Sequence, residues 1–432
     1  GLADDQLLSA LIATAIVTDA ALERTLTVLR RVLVLSTRHD GISVLDHPRW
    51  TSLLAALARQ CQLNEYIFDE TPAESAAIAK LETWFCDLIA HEETPPANRL
   101  ALYACYRPLH GQDIGTRLYA HDNWPSPIRD LLDLLVEPPN EKTAADAIPH
   151  LTPVDDDPVS RLVHAQYESH PYPRWTDAGL LDKPAPLPQL LRAMLPHVVL
   201  PAEPRWNAPN VLVAGCGTGR ESVWVANQVA GCQILAIDLS LSSLAYAQRQ
   251  TRRLGIQNIT YAQANLLALG RLRTEARLPL FNVIHCVGVL HHLADPLTGW
   301  RILIDLLEPG GVMKVGLYSA KARTAVVAAR DLIAAEGIAA TLDGVRTFRR
   351  RLLSLAVDHP ARPLTASPDF YNVSACRDLA FHVQEHRMTL PQIAGWIGEL
   401  GLEFLGFQLD DPAIGLAYRQ RRPQDPTMTD LA

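Results

Sequence analysis

From Val211 to Gly219 the chain reads Val-Leu-Val-Ala-Gly-Cys-Gly-Thr-Gly, an apolar run that ends in Gly-x-Gly-x-Gly and leads into a helix-like segment. Four consecutive apolar residues suit a strand buried on both faces. Glycines directly after it let the backbone turn with positive φ and approach a ligand with no Cβ in the way. A nucleoside-containing ligand fits such a loop. The run opens a series: Val211–Ala214, Ile234–Ile237, Ile259–Ala262, Phe281–Val287 and Val312–Leu317 alternate with helical segments. Strands alternating with helices predict an α/β fold, a parallel sheet of right-handed crossovers with helices on both faces.

A dinucleotide fingerprint, Gly-x-Gly-x-x-Gly, needs its third glycine at position 220, where this chain has Arg220. The pyrophosphate reading is weakened. Gly-x-Gly-x-Gly after the first strand, with Asp238 closing the second, instead resembles class I S-adenosylmethionine-dependent methyltransferases. Three further stretches match that family in register: Gln263–Leu266 after the third strand, Phe281–His292 at the fourth, and Leu307–Val312 at the turn into the fifth. The resemblance implies a Rossmann-like, seven-stranded methyltransferase sheet and S-adenosyl-L-methionine as cofactor. It places cofactor contacts at Gly215, Cys216, Gly217, Gly219, Asp238, Leu239, Asn265, Leu266 and Val287. Asp238 would accept hydrogen bonds from ribose hydroxyls, and Asn265 would meet the adenine amino group. Two departures stand out. Val213 occupies the place, two residues before the first glycine, where the family often has a carboxylate, so Glu221 or a water would replace it; Asn265 stands for the commoner Asp.

Residues 1–150 show apolar residues at helical spacing, such as Leu22, Leu26, Leu29 and Leu33, then Leu53, Leu54, Leu57 and Cys61. They are expected to form an all-helical N-terminal domain. The 31 prolines cluster at seams, which marks 149–158 as a hinge and 151–205 as a proline-rich linker or active-site strap. The methyltransferase domain then runs over 206–432. It carries a helical insertion over 321–386, before a helix near 389–400 and a closing antiparallel pair at Leu402–Gln408 and Ile414–Tyr418. The segments 60–66, 166–175 and 381–387 are similar to bacterial methyltransferases that carry tetratricopeptide repeats ahead of the catalytic domain, although no 34-residue repeat is visible. The start at Gly1 fits a trimmed N-terminus.

For chemistry, His291 and His292 follow the fourth strand, where this fold places residues near the transferred methyl group. His291 is the leading candidate to orient or deprotonate the acceptor and Tyr172, in the strap, is the second; the plain alternative is one histidine capping the loop and one in solvent. His382-Val-Gln-Glu-His386 fits a zinc-peptidase pattern with two histidines on one helical face. No downstream carboxylate completes it convincingly, so a packed helix or a lid is expected and no metal. Seven cysteines with no Cys-x-x-Cys pair read as reduced thiols of a cytoplasmic protein, with Cys216, Cys232 and Cys286 as packing residues. A net charge of −8 offers no overall basic field for nucleic acid or an anionic membrane, and Leu7–Val17 is too short and too acidic in its flank for a signal peptide or span. The expected function is methyl transfer to a protein or peptide. A small-molecule acceptor, or a non-catalytic scaffold that keeps the fold, are the alternatives. No motif sets the oligomeric state.

Overall fold

The computed structural model describes residues 2–37, 44–91, 93–109, 113–121, 123–136, 147–153, 157–175, 183–200, 203–275 and 277–431. The expected proline seams at 138–139, at 154–156 within the hinge and at 176–182 within the strap lie outside them. Helices α1 (Gln6–Thr14), α2 (Ala20–Leu35), α3 (Thr51–Leu63), α4 (Pro72–Ala90), α5 (Ala97–Ala104), α6 (Asp113–Tyr119) and α7 (Ser126–Leu135) come first. Then follow α8 (Pro158–Ser169), α9 (Leu187–Met194), β1 (Asn210–Ala214), α10 (Arg220–Gln228), β2 (Gln233–Asp238), α11 (Leu241–Arg253) and β3 (Ile259–Gln263). The chain continues through α12 (Leu269–Thr274), β4 (Phe281–Val287), α13 (Pro296–Asp305) and β5 (Leu307–Gly316). It ends with α14 (Thr324–Glu336), α15 (Leu342–Ser354), α16 (Val373–Phe381), α17 (Leu390–Glu399) and α18 (Pro412–Arg421). Two compact units result, Gly1–Thr143 with Ala325–Phe381, and Ala144–Thr324 with His382–Ala432.

The first unit is helical, and its helices begin where the sequence supplies caps. Asp19 accepts the Leu22 amide ahead of α2, and Thr71 and Glu74 form a reciprocal capping box ahead of α4. Leu53, Leu54, Leu57 and Cys61 are buried in one core with Ile78, Phe85 and Tyr103. Val345, Phe348 and Leu352 of α15 belong to the same core. The segment expected as an insertion into the methyltransferase domain is therefore, over 325–381, part of the helical unit. An apolar stripe at i, i+3 and i+7 needs an apolar counterpart, and polar stitches fix it there. Arg349 donates to the Glu23 carboxylate at 2.6 Å and to the Phe370 carbonyl at 2.8 Å, and Asn372 donates to the Leu63 carbonyl at 2.6 Å. Arg30, fully buried, is made tolerable by hydrogen bonds to the Asp69 and Cys105 carbonyls, the Tyr106 ring 4.0 Å away and the buried Glu74.

The second unit holds a parallel sheet in the order β3-β2-β1-β4-β5. In register, Val213 lies between Ala236 of β2 and His285 of β4, which in turn pairs with Lys314 of β5. Alternation along β1 sends Leu212 and Ala214 into a core with Ile284, Cys286 and Trp300, and Val211 and Val213 into a core with Val225, Leu244 and Tyr261. Both faces are covered, which is why β1 reads as an unbroken apolar run. Among the described residues the sheet has five strands and not the expected seven. Ile414–Tyr418 lies inside α18, whose start is set by Asp411 accepting the Ala413 amide and by Pro412 in the first turn. Leu402–Gln408 forms no strand, and Gly406 sits within it at φ +134°. No helix of the described residues is long and apolar enough to cross a membrane.

Candidate cofactor site at the carboxyl ends of the strands

The glycine loop is fixed from beneath. The amides of Gly215 and Cys216 both donate to the Ile237 carbonyl, at 2.8 and 2.9 Å, so the loop leaves β1 leaning on the end of β2. The Gly217 amide donates to Oδ2 of Asp238 at 2.7 Å, and the Ser240 amide donates to Oδ1 at 2.9 Å. Burial pushes the Asp238 carboxyl up, while the Ser240, Gly217 and Leu239 amides and His164 oppose that rise. A carboxylate so held keeps acceptor capacity for a hydroxyl pair. Gly217 has φ +51°, and a Cβ there would stand 2.7 Å from the Tyr172 carbonyl oxygen.

That contact shows what the strap does. Thr218 donates its hydroxyl to the Pro173 carbonyl, and the Trp175 indole donates to the Thr218 carbonyl at 3.0 Å. Gln250 of α11 donates to the Trp175 carbonyl at 3.0 Å. Residues 172–175 of the strap thus lie against the glycine loop, and Tyr172 meets it through its main chain. On the other side, Val287 is 40% exposed at the end of an otherwise buried strand, and Gly288 follows it with φ +78° and no heavy atom of the described residues within 4 Å of its Cβ position. Parallel sheets bind ligands at this end, where the connections diverge.

Asn265 is engaged at both ends of its amide, donating to Ser160 Oγ at 3.2 Å and accepting the Leu267 amide at 2.9 Å, while its own amide donates to Thr152 at 2.7 Å. A cavity of about 400 Å³ lined by His150, Thr152 and Gln263 opens beside it. Leu239 and Leu266 sit on the loops that follow β2 and β3. Cys216 is buried with its thiol pushed well up by burial and by Asp238, and burial pushes Cys286 up to about 12, so both are protonated packing groups.

Glu221, offered in the sequence as a replacement for the missing carboxylate, is occupied. It accepts from His285 Nδ1 at 2.7 Å and from Lys314 Nζ at 2.8 Å, and Lys314 Nζ also lies over the Trp224 ring, 4.9 Å from its centroid. Burial alone would raise its carboxyl, but the His285 hydrogen bond and the His285 and Lys314 charges hold it at about 2. Depressed from 4.5, this group contributes stability that is present above pH 4.5 and is lost as the pH falls toward 2. Glu221→Gln is expected to cost about 1–2 kcal/mol at pH 7, the low end for a hydrogen bond to a charged group, and to flatten the acid limb of stability. Urea unfolding at pH 7 and pH 3 checks this; an unchanged acid limb would detach Glu221 from it.

His291 and His292 are both buried, so neither is the solvated residue of the plain alternative. His291 stacks on Tyr318 with centroids 3.7 Å apart, and His292 stacks on His382 at 3.6 Å. Burial, with His292 and Arg323 nearby, lowers His291 to about 2, so its ring is neutral at working pH. The His382–His386 stretch is irregular, because α16 ends at Phe381 and His382 accepts the Gln384 amide at 3.1 Å. The expected shared helical face is absent. Instead this stretch ties down the loop after β4: the His386 amide donates to the His291 carbonyl at 2.7 Å, and His292 Nδ1 pairs with the Gln384 carbonyl at 2.7 Å.

A family model described as a methyltransferase domain matches residues 212–313, the stretch from β1 to β5. This stretch is a methyltransferase domain. Its cofactor is S-adenosyl-L-methionine, and the residues present fit it: a glycine loop with no room for a Cβ at Gly217, and an oriented carboxylate at Asp238. The chain is 31% identical over 263 residues to an uncharacterized protein of Synechococcus sp., syc1184_c, covering 58% of this chain and 60% of that one. It is 31% identical over 169 residues to a ubiquinone biosynthesis O-methyltransferase of Xanthomonas axonopodis pv. citri, covering 39% of this chain and 65% of that one. The corresponding enzyme of Actinobacillus pleuropneumoniae is 32% identical over 103 residues, covering 24% of this chain and 43% of that one. The chain thus spans less than two thirds of the curated relatives it matches. Among solved structures it is similar to PKMT2 from Rickettsia typhi in complex with AdoHcy, at 19% identity and a TM-score of 0.45, covering 60% of this chain and 52% of that one.

Proposed function

We propose that the protein transfers the methyl group of S-adenosyl-L-methionine to a nucleophile on a protein or peptide. The observation that supports methyl transfer is the hydrogen bond from the Gly217 amide to Asp238, which joins the glycine loop after β1 to the carboxylate that ends the neighbouring strand β2. Gly215, Cys216, Gly217, Gly219, Asp238, Leu239, Asn265, Leu266 and Val287 are the residues assigned to it. When bound, the cofactor supplies an activated methyl on its sulfonium, so the chain's task is to hold the acceptor in line and exclude water. The strap at 170–175 and the loop after β4 serve that exclusion. His291, neutral and buried, is the assigned acceptor-orienting group, with Tyr172 second. The helical unit, with a core of its own, is the support for a macromolecular acceptor. A small-molecule acceptor is the second reading, favoured by the O-methyltransferase names of relatives that the chain matches over part of its length.

The test is transfer of a radiolabelled methyl group in a cell lysate, resolved into protein and metabolite fractions. Label in protein is expected; label only in small molecules selects the second reading. Absence of any S-adenosylhomocysteine binding by calorimetry would leave a scaffold and remove the enzyme. His291→Asn is expected to lower turnover with cofactor affinity retained, measured by the same two assays.

A further inference from the structure

Helix α8 lies outside the stretch that matches the methyltransferase model, yet one of its faces is turned to the cofactor loops. Its start is set by Asp157, which accepts the Ser160 amide, and by Pro158 in the first turn. Ser160, His164 and Glu168 follow at i, i+4 and i+8, one above the other on one helical face. Ser160 accepts from the Asn265 amide group at 3.2 Å. Glu168 accepts three hydrogen bonds from the start of α11: from the capping Ser240 Oγ at 2.9 Å, from the Ser242 amide at 3.2 Å and from Ser242 Oγ at 2.7 Å. His164 stands between the two, its Nε2 3.8 Å from Glu168.

Ser240 is the node of this arrangement. Its hydroxyl hydrogen goes to Glu168, its hydroxyl oxygen accepts the Ser243 amide at 3.0 Å to cap α11, and its own amide donates to Asp238 Oδ1. Glu168 therefore reaches Asp238 through one residue, and Asp238 reaches the glycine loop through the Gly217 amide. We propose that Glu168 is a positioning residue for Asp238, and that the Ser160, His164 and Glu168 face of α8 completes the adenosine side of the cofactor pocket. The Glu168 carboxylate, held low by the Ser242 and Ser240 donors against the opposing effect of burial, is ionised at working pH, as a three-donor acceptor must be. The inference rests on the reading of Asp238 as the ribose acceptor.

The experiment measures affinity for S-adenosylhomocysteine and for 5′-methylthioadenosine, which keeps the adenosine half and lacks the amino-acid half. Wild-type protein binds both; if it binds neither, the reading of the cofactor site itself fails and takes the inference with it. Glu168→Ala, with its melting temperature checked, is expected to weaken both ligands by the same factor, about five- to thirtyfold, and Glu168→Gln to recover part of the loss. In an Asp238→Ala background Glu168→Ala is expected to change affinity less than about twofold, because residues acting through one network are not additive. Ser242→Ala, which removes a partner of Glu168 from the far side, is expected to give a smaller loss of the same pattern. Unchanged affinity in folded Glu168→Ala, a loss confined to S-adenosylhomocysteine, or additive losses with Asp238→Ala would each overturn the assignment.

Discussion

Replacing Gly217 by valine is expected to abolish detectable S-adenosylhomocysteine binding. The position has φ +51° and its Cβ would stand 2.7 Å from the Tyr172 carbonyl oxygen. That oxygen belongs to backbone, so no side-chain rotation relieves the contact. The strap cannot slide away cheaply, since Pro173 and Trp175 are bonded to Thr218 and α11 holds the Trp175 carbonyl. A left-handed conformation alone costs an L-residue about 1–2 kcal/mol, and a branched Cβ beside a fixed carbonyl adds to it. With about 1.4 kcal/mol per tenfold, the loss is expected to be at least about a hundredfold. Calorimetry on the folded variant checks it; wild-type affinity would take the glycine loop out of the cofactor site.

Asp238→Ala is expected to weaken S-adenosylhomocysteine by about 1.5–3 kcal/mol, the range for hydrogen bonds to a charged group. Two donors, the Gly217 and Ser240 amides, lose their acceptor at the same time, so the loop loosens as the ribose contact goes. The pH dependence has a sign. Burial raises the Asp238 carboxyl, so the ionised form that accepts from ribose is lost, on acidification, at a higher pH than for an ordinary aspartate. Affinity is expected to fall from that point downward in the wild type and to be flat in Asp238→Ala, measured by titrations across the acid range. A folded variant with unchanged affinity would move the ribose contact elsewhere.

What was legible in the sequence followed local chemistry. The run Val211–Ala214 and the glycines after it announced β1 and its loop, because a doubly buried strand needs uninterrupted apolar residues and a tight turn needs glycine. Asp238 was legible for the same reason, as an acid at the end of an apolar run. The missed parts depend on partners far along the chain. Glu221 looked available in a first helical turn, and only the register of β4 and β5 reveals His285 and Lys314 beneath it. Glu168 lies in the singled-out segment 166–175, but its role was not legible there because its donors lie more than 70 residues away. At Ile414–Tyr418 the helix start Asp411-Pro412 outweighs the short apolar pattern that resembles a strand.

The helical unit is built from two stretches separated in the chain by every strand of the sheet, and this sets a timetable. During synthesis, residues up to 143 leave the ribosome long before residue 325 exists. At 5–20 residues per second the interval is roughly 10–40 s. Throughout it Glu23 and the Leu63 carbonyl wait for Arg349 and Asn372, and the apolar surface that Phe348 will cover stays bare. Exposed apolar surface of this kind is what chaperones shield during synthesis, and a chain truncated after β5 would carry the five described strands with only part of the helical unit's core.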